Sequence, residues 1–343
     1  MVLWGLVKHS TLDYDDLRSY FIPWRQMQYG LPGLSLWNPF EFAGMPMLAD
    51  TQKQLLYPPN WIFSWVQATT AMDWYLALHV GLSATFTYRW LRLLELSRSA
   101  CVVGGLTFSL SAFSVLHLSQ LPVAAGTCWL PAGWLSIERL AQHPGRREQA
   151  LAALYGALAL LAGSPQILFI SAWGWLAYAV WRGALRPLLA TALAAVMVAL
   201  PQLLASAEML PWLLRAGPRT MGFVGAGSLP PWRGGWSLLS PYAFVNPAVH
   251  PDPSYTFHET TVYLGLVGLL LMVSSLASEH RQRTLWLGVL GVSFLLSLGA
   301  YTPIYSWLAD WVPGFSMFRV PSRWMLLGSG AAAALTAFGL ERL

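Results

Sequence analysis

The chain has 343 residues, 56% of them hydrophobic and 10% charged, with a mean hydropathy of +0.49. A water-soluble fold of this size carries about 25% charge, so lipid is the expected solvent for most of the surface. The formal net charge of +5 is spread over basic residues that stand singly or in pairs; with no run to track a phosphate backbone, nucleic acid is excluded as a partner.

Met1 to Val7 is apolar but too short for a signal peptide and has no small-residue cleavage site behind it, so it reads as the end of a longer helix. A polar opening of about seventy residues follows. The apolar segments then run Ala71 to Leu93, Ala100 to Leu118, Leu121 to Leu140, Ala150 to Ala162, Gln166 to Trp181, Pro187 to Ala207, Thr260 to Leu276, Thr284 to Leu298 and Trp324 to Leu340. The expected fold is therefore an all-α polytopic membrane protein of about nine transmembrane helices. Residues 1–70 form a first extracytoplasmic loop, 71–207 carry six spans, 208–258 a second large loop, and 259–343 three spans with a loop at 299–323. Between Arg147 and Arg182 one continuous helix would be roughly 50 Å long, too long for one crossing. Gly163-Ser164-Pro165 sits near its middle and predicts a tight turn between two spans. The nineteen tryptophans and thirteen tyrosines suit the two headgroup layers. Cys101 and Cys128 lie in apolar segments without metal-ligand or CxxC spacing and read as packing residues.

Positive residues in short loops collect on the cytoplasmic side. With the central stretch split, Arg92, Arg98, Arg139, Arg146, Arg147, Arg182, Arg186, Arg281, Arg283 and Arg342 share one face. The opposite face receives Met1 to Thr70, the turns near Gln120 and Ser164, Glu208 to His258 and Gly299 to Arg323. The opening loop then lies outside, which calls for a preceding helix that the residues before Thr11 are too few to form. The expectation is a chain missing its first helix and ending, at Glu341-Arg342-Leu343, as the front part of something longer.

The chemistry-bearing groups gather in the expected outer loops. Asp13, Asp15 and Asp16 place three carboxylates within four residues, a set that can hold a divalent cation such as Mg or Mn, or take a proton from a hydroxyl. It can equally be a solvated loop capping a helix over Leu17 to Tyr29. Arg319 and Arg323 flank Val320-Pro321 and can fork onto phosphate oxygens or anchor the last helix at the headgroups. Arg215, Arg219 and Arg233 are weaker candidates, and Lys8, Arg18 and Arg25 weaker still. Glu208 and Glu259 end charge-free runs, where an unpaired carboxylate is costly; they can bind sugar hydroxyls or pair with arginine. Asn38 and Gln52 fit sugar hydroxyls or loop-internal bonds, and Trp37 offers a face to a pyranose. Pro39, Gly44 and Pro46 read as turn formers. His250, Asp252, His258 and Glu259 match no standard metal spacing. Asp73, His79 and His117 read as satisfied interior groups, and Ile304 to Trp311 as a short amphipathic stretch carrying Asp310.

The run Asp16-Leu-x-x-Tyr-x-x-Pro23, then Gly30, Leu36-Trp-Asn-Pro39, Gly44-x-Pro46 and Leu48-Ala-Asp-x-Gln52, resembles the first extracytoplasmic loop of the YfhO-type bacterial membrane proteins, which belong with the GT-C glycosyltransferases. Further blocks are similar in order: Gly163-Ser-Pro-Gln166, with serine where that family has histidine; Leu200-Pro-Gln-Leu-Leu with Glu208 and Arg219; Glu259-x-x-Val-Tyr-Leu-Gly265; and Phe318-Arg-Val-Pro-Ser-Arg323. The resemblance implies a GT-C-like fold in the bacterial cytoplasmic (inner) membrane. It also implies sugar transfer from a polyprenyl-phosphate donor to an extracytoplasmic glycan or lipid acceptor. It makes Asp16, then Asp15, the catalytic candidates. Arg319, Arg323, Glu259, Glu208, Asn38, Gln52 and Arg219 become the substrate-binding ones, with Asp13, Asp15 and Asp16 for a metal. The rival expectation is a noncatalytic transporter or assembly factor for lipid-linked glycans.

Overall fold

The computed structural model describes residues 16–30, 36–41, 43–212, 220–243 and 257–343. A π-helical turn, Leu17–Phe21, leads into α1 (Ile22–Gly30). A two-stranded antiparallel hairpin follows, β1 (Trp37–Asn38) against β2 (Met45–Pro46), with Trp37 opposite Pro46. It is a small departure from an all-α fold. The long elements then run α2 (Ala68–Leu93), α3 (Arg98–Ser109), α4 (Ala112–Leu116), α5 (Leu121–Thr127), α6 (Trp129–Gln142), α7 (Arg146–Leu161), α8 (Pro165–Arg182) and α9 (Leu185–Met209). After α10 (Met221–Val224) and α11 (Pro231–Ser237) come α12 (Phe257–Thr260), α13 (Leu266–Ser274), α14 (Arg283–Ser297), α15 (Pro303–Trp311) and α16 (Met325–Arg342).

Each apolar segment of the sequence carries helix; Leu121 to Leu140 is divided only at Cys128, while two others are more widely interrupted. The segment Ala100 to Leu118 breaks at Leu110–Ser111 into α3 and α4, bent by 42°. Ser111 starts the second piece by accepting a bond from the Ser114 amide. The segment expected over Thr260 to Leu276 opens with α12, runs without helix through residues 261–265, and resumes at α13 after Gly265. The two interruptions are joined, since the Ala112 amide donates to the Tyr263 carbonyl at 2.8 Å. By length and composition, Leu185–Trp212 and Pro321–Arg342 can each cross a membrane, and α3 with α4 makes a third span if the bent pair is one crossing. These counts concern the described residues.

The predicted turn at Gly163 is present: α7 ends, Gly163 takes φ +85, and Pro165 opens α8. A Cβ at Gly163 would strike the Thr51 carbonyl, so glycine is required on both counts. α16 forms the centre of the bundle. Its run Ala331 to Phe338 is fully buried, packed by α3, α13 and α14. Small residues let these backbones meet closely; at Gly339 the Leu271 carbonyl occupies the space a side chain would need. α9 lies at the periphery and exposes Leu189, Leu193, Met197 and Leu204.

Hydrogen bonds sort the connecting segments into two groups, one at each end of the bundle. At one end Gln54 bonds the Ala162 carbonyl (2.6 Å), Gln202 the Leu48 carbonyl, Ser206 the Ala49 carbonyl (2.9 Å) and Gln166 the Arg319 carbonyl (2.5 Å). At the other end the Ser97 amide meets Glu341 (2.8 Å), Gln142 the Leu93 carbonyl (3.1 Å), and Arg182 clamps buried Glu138 at 2.7 and 2.6 Å. This partition is the one drawn from the arginine distribution. Not every tryptophan sits at an expected headgroup layer: Trp90, Trp134 and Trp286 form a buried trio with centroids 4.8–5.0 Å apart, beside Tyr178.

Candidate functional site

At the first of these ends, side chains from three other segments, residues 117–120, Gln166 and Arg323, gather around Glu259. α12 projects this carboxylate into the interior, where its side chain is 4% exposed. The Arg323 guanidinium grips it with Nη2 to Oε1 at 2.5 Å and Nε to both oxygens at 3.1 and 3.2 Å. Arg323 also donates to Gln120 Oε1 at 2.6 Å and Gln166 Oε1 at 3.1 Å. On the far side His117 Nε2 lies 3.0 Å from Glu259 Oε2, and His117 Nδ1 lies 2.8 Å from the Phe113 carbonyl. Both ring nitrogens thus face oxygen atoms. Burial alone would raise the Glu259 carboxyl, but His117 and Arg323 outweigh it and hold the group well below the usual carboxylate range.

His258 forms the outer edge of this network. Gln120 turns its oxygen to Arg323, leaving its amide 3.3 Å from His258 Nε2, which then accepts. That favours a neutral ring, and burial pushes the imidazole below its ordinary 6.5 despite the nearby Glu259. The exposed Asp16 carboxylate also acts electrostatically on His258, which places it on the same side of the cluster. Asp16 stands at the start of the helical turn Leu17–Phe21, where its side chain makes no capping bond.

The loop carrying Arg319 and Arg323 is held in a strained form. Val320 takes φ +66, a region costly for a β-branched residue. Its amide is tied to the Ala226 carbonyl at 2.8 Å, while the Gln166 amide reaches both the Arg319 and Val320 carbonyls. The kink turns Arg323 inward and leaves Arg319 exposed, its guanidinium without an ion-pair partner among the described residues.

Several candidates drawn from the sequence are engaged within the protein itself. Arg323 is spent on Glu259 and the two glutamines, and Glu259 on Arg323 and His117, so neither is open to a ligand as an isolated charge. Asn38 is fully buried and used inside its own loop, donating to Glu41 at 2.8 Å and accepting from the Phe40 amide at 2.9 Å. Gln52 points to solvent, its backbone amide held by Asp50. The organising glutamine is Gln54, fully buried between Arg25, Tyr75 and the Ala162 carbonyl. Glu208 is exposed on α9 and makes no bond to the cluster. His117 is satisfied, as expected of an interior histidine, but its partner is the site's own carboxylate.

Asp13, Asp15, Arg219, Arg215, Lys8, His250 and Asp252 lie outside the described residues, as does the Arg18 side chain. Among the described residues no group of three His, Cys, Asp or Glu side chains could hold a metal ion. Asp16 alone of the acidic triplet is among the described residues, and Glu259 is neutralised by Arg323.

Arg25, ranked low from the sequence, is buried and bonded to the Lys53 carbonyl (2.6 Å), Gln28 and Gln54 (2.8 Å each). It fastens the first loop rather than lining the cluster. Gln120, Gln166 and His258 were the members hardest to foresee. Gln166 stood in a quoted motif, whereas no local pattern marks Gln120 or His258. The chain matches no protein-family model, no curated protein and no solved structure.

Proposed function

We propose that this chain is a multi-pass membrane glycosyltransferase of the GT-C type, similar to the YfhO-type proteins. In this reading about nine spans in a bacterial cytoplasmic membrane carry a site on the extracytoplasmic side. The donor is a polyprenyl-phosphate sugar and the acceptor an envelope glycan, teichoic acid or lipid. The observation that carries the proposal is the convergence of Gln120, Gln166 and Glu259 on Arg323 from separate segments, with the neighbouring Arg319 exposed on the same loop and Asp16 within electrostatic reach of His258. A donor with a polyprenyl tail stays in the bilayer, so its sugar must be met where helix ends and loops share the headgroup level.

The chemistry divides among the residues in a simple way. Asp16, with Asp15 as second choice, takes the proton from the acceptor hydroxyl as its oxygen bonds to the anomeric carbon. The bond from that carbon to phosphate oxygen breaks, and polyprenyl phosphate leaves with the electron pair. Arg319 neutralises the charge gained by the leaving phosphate. Glu259, Arg323, Gln120 and Gln166 form a rigid, internally neutralised support that fixes Arg319 and His258.

A second reading is a noncatalytic transporter or assembly factor for lipid-linked glycans. The two joined helix interruptions at Ser111 and residues 261–265 favour it, because transporters place substrates at broken helices. Purified protein given a labelled donor separates the two: the enzyme releases polyprenyl phosphate, and the Asp15→Asn/Asp16→Asn variant does not. Full turnover in that variant would remove the catalytic assignment, and intact donor moved across vesicles would favour the transporter.

A further inference from the structure

The opposite end of the bundle carries a second polar feature that the proposed reaction does not use. The C-terminal turns of α2 and α6 and the start of α3 meet around a shallow cavity of about 400 Å³ lined by Tyr88, Arg89, Arg92, Leu93, Arg98 and Arg139. Four guanidiniums therefore face one space. Among the described residues none of the four forms an ion pair. The buried carboxylate of Glu138 is taken by Arg182, and Glu148 acts on Arg139 electrostatically without forming an ion pair. Arg92 is steadied by a bond to the Leu96 carbonyl, while Arg89 and Arg98 stand exposed and Arg139 is half-buried.

Helix C-termini favour cations, and that accounts for Arg89, Arg92 and Arg139 one at a time. It does not account for Arg98, which opens α3 at a helix N-terminus, where a cation is disfavoured, yet lines the same cavity. The cavity is of ligand-binding size, and guanidiniums match phosphate oxygens in fork geometry. Leu93 and Tyr88 add an apolar wall beside the charges, as an acyl chain or glycerol backbone would need. By the arginine distribution this end faces the cytoplasm, where the leaflet surface is rich in anionic lipid.

We propose that the Arg89–Arg92–Arg98–Arg139 groove binds the phosphate group of an anionic phospholipid at the cytoplasmic headgroup layer. The inference rests on the sidedness of the fold, not on the sugar-transfer reading, and its test needs no turnover. The full chain in zwitterionic micelles is titrated with phosphatidylglycerol, with phosphatidylcholine, and with inorganic phosphate, and bound lipid is counted by native mass spectrometry.

The wild-type chain should retain phosphatidylglycerol over phosphatidylcholine. Arg89→Gln/Arg98→Gln/Arg139→Gln should bind about a hundredfold more weakly, and Arg98→Gln alone about fivefold. The control Arg146→Gln/Arg186→Gln/Arg281→Gln loses equal charge elsewhere and should bind like the wild type. Without anionic lipid the groove variant should unfold close to the wild type, the relief of repulsion offsetting the lost helix-terminus attraction at Arg89 and Arg139. Displacement of the lipid by millimolar inorganic phosphate would assign the groove to a soluble phosphate instead. Equal retention of the two lipids, or equal loss in the control variant, would overturn the proposal.

Discussion

Replacing Arg323 by methionine probes the support of the candidate site most sharply. The variant keeps a long apolar side chain but leaves Glu259 4% exposed with His117, 3.0 Å away, as its remaining strong partner. Removing one member of a buried pair costs about 3–5 kcal/mol. Glu259→Gln should cost less, about 1–3 kcal/mol, because Arg323 keeps the Gln120 and Gln166 oxygens. If the pair acts as one unit, the double variant Glu259→Gln/Arg323→Met costs less than the sum of the two by roughly 2 kcal/mol. Denaturant unfolding in mixed micelles, followed by tryptophan fluorescence, measures all four corners of this cycle. Additivity within about 0.5 kcal/mol would refute the coupling, and with it the view that Arg323 serves the fold before the ligand.

Arg319→Gln should leave stability unchanged, because the Arg319 bond to Gln166 is made by its carbonyl, yet lower donor turnover about a hundredfold or more. Gly163→Ala should destabilise by about 2 kcal/mol or more in the same unfolding assay, combining the left-handed backbone with the clash at Thr51. Acid should weaken the fold in two stages, read as unfolding midpoints against pH. His258 titrates below its ordinary 6.5 when folded, so stability starts to fall as pH drops through that value. Glu259 is depressed too, and the stability it contributes at neutral pH is lost below the ordinary carboxylate range. A midpoint independent of pH down to about 5 would contradict the first stage, and one still flat at about pH 2 would contradict the second.

Much of the helical layout is legible because hydrophobic length and turn chemistry are local. Gly163-Ser164-Pro165 announces its own turn, and the arginine spacing divides the loops into the two groups that the hydrogen bonds reproduce. The breaks are harder to read. Ser109 and Ser111 are ordinary polar residues inside an apolar run, and the interruption there depends on the Tyr263 carbonyl, which is far away in sequence. The site shows the same division. Asp16, Arg319, Arg323 and Glu259 could be singled out as charges in a polar loop, whereas their partnerships could not. His117 and Glu259 are 142 residues apart, and Gln120 and Arg323 are 203 apart. Gln52 was preferred to Gln54 because two glutamines in one turn look alike until burial separates them.

The account depends on the compartment each end of the bundle occupies, and single cysteines can test that directly. Cys101 and Cys128 are fully buried, so the native background should be quiet. In intact cells a membrane-impermeant maleimide should label Gln52→Cys and Arg319→Cys, and should reach Arg146→Cys and Glu279→Cys only after the membrane is opened. Labelling of Arg319→Cys and Arg146→Cys from the same side would leave the Glu259 cluster without an outer compartment and contradict the account.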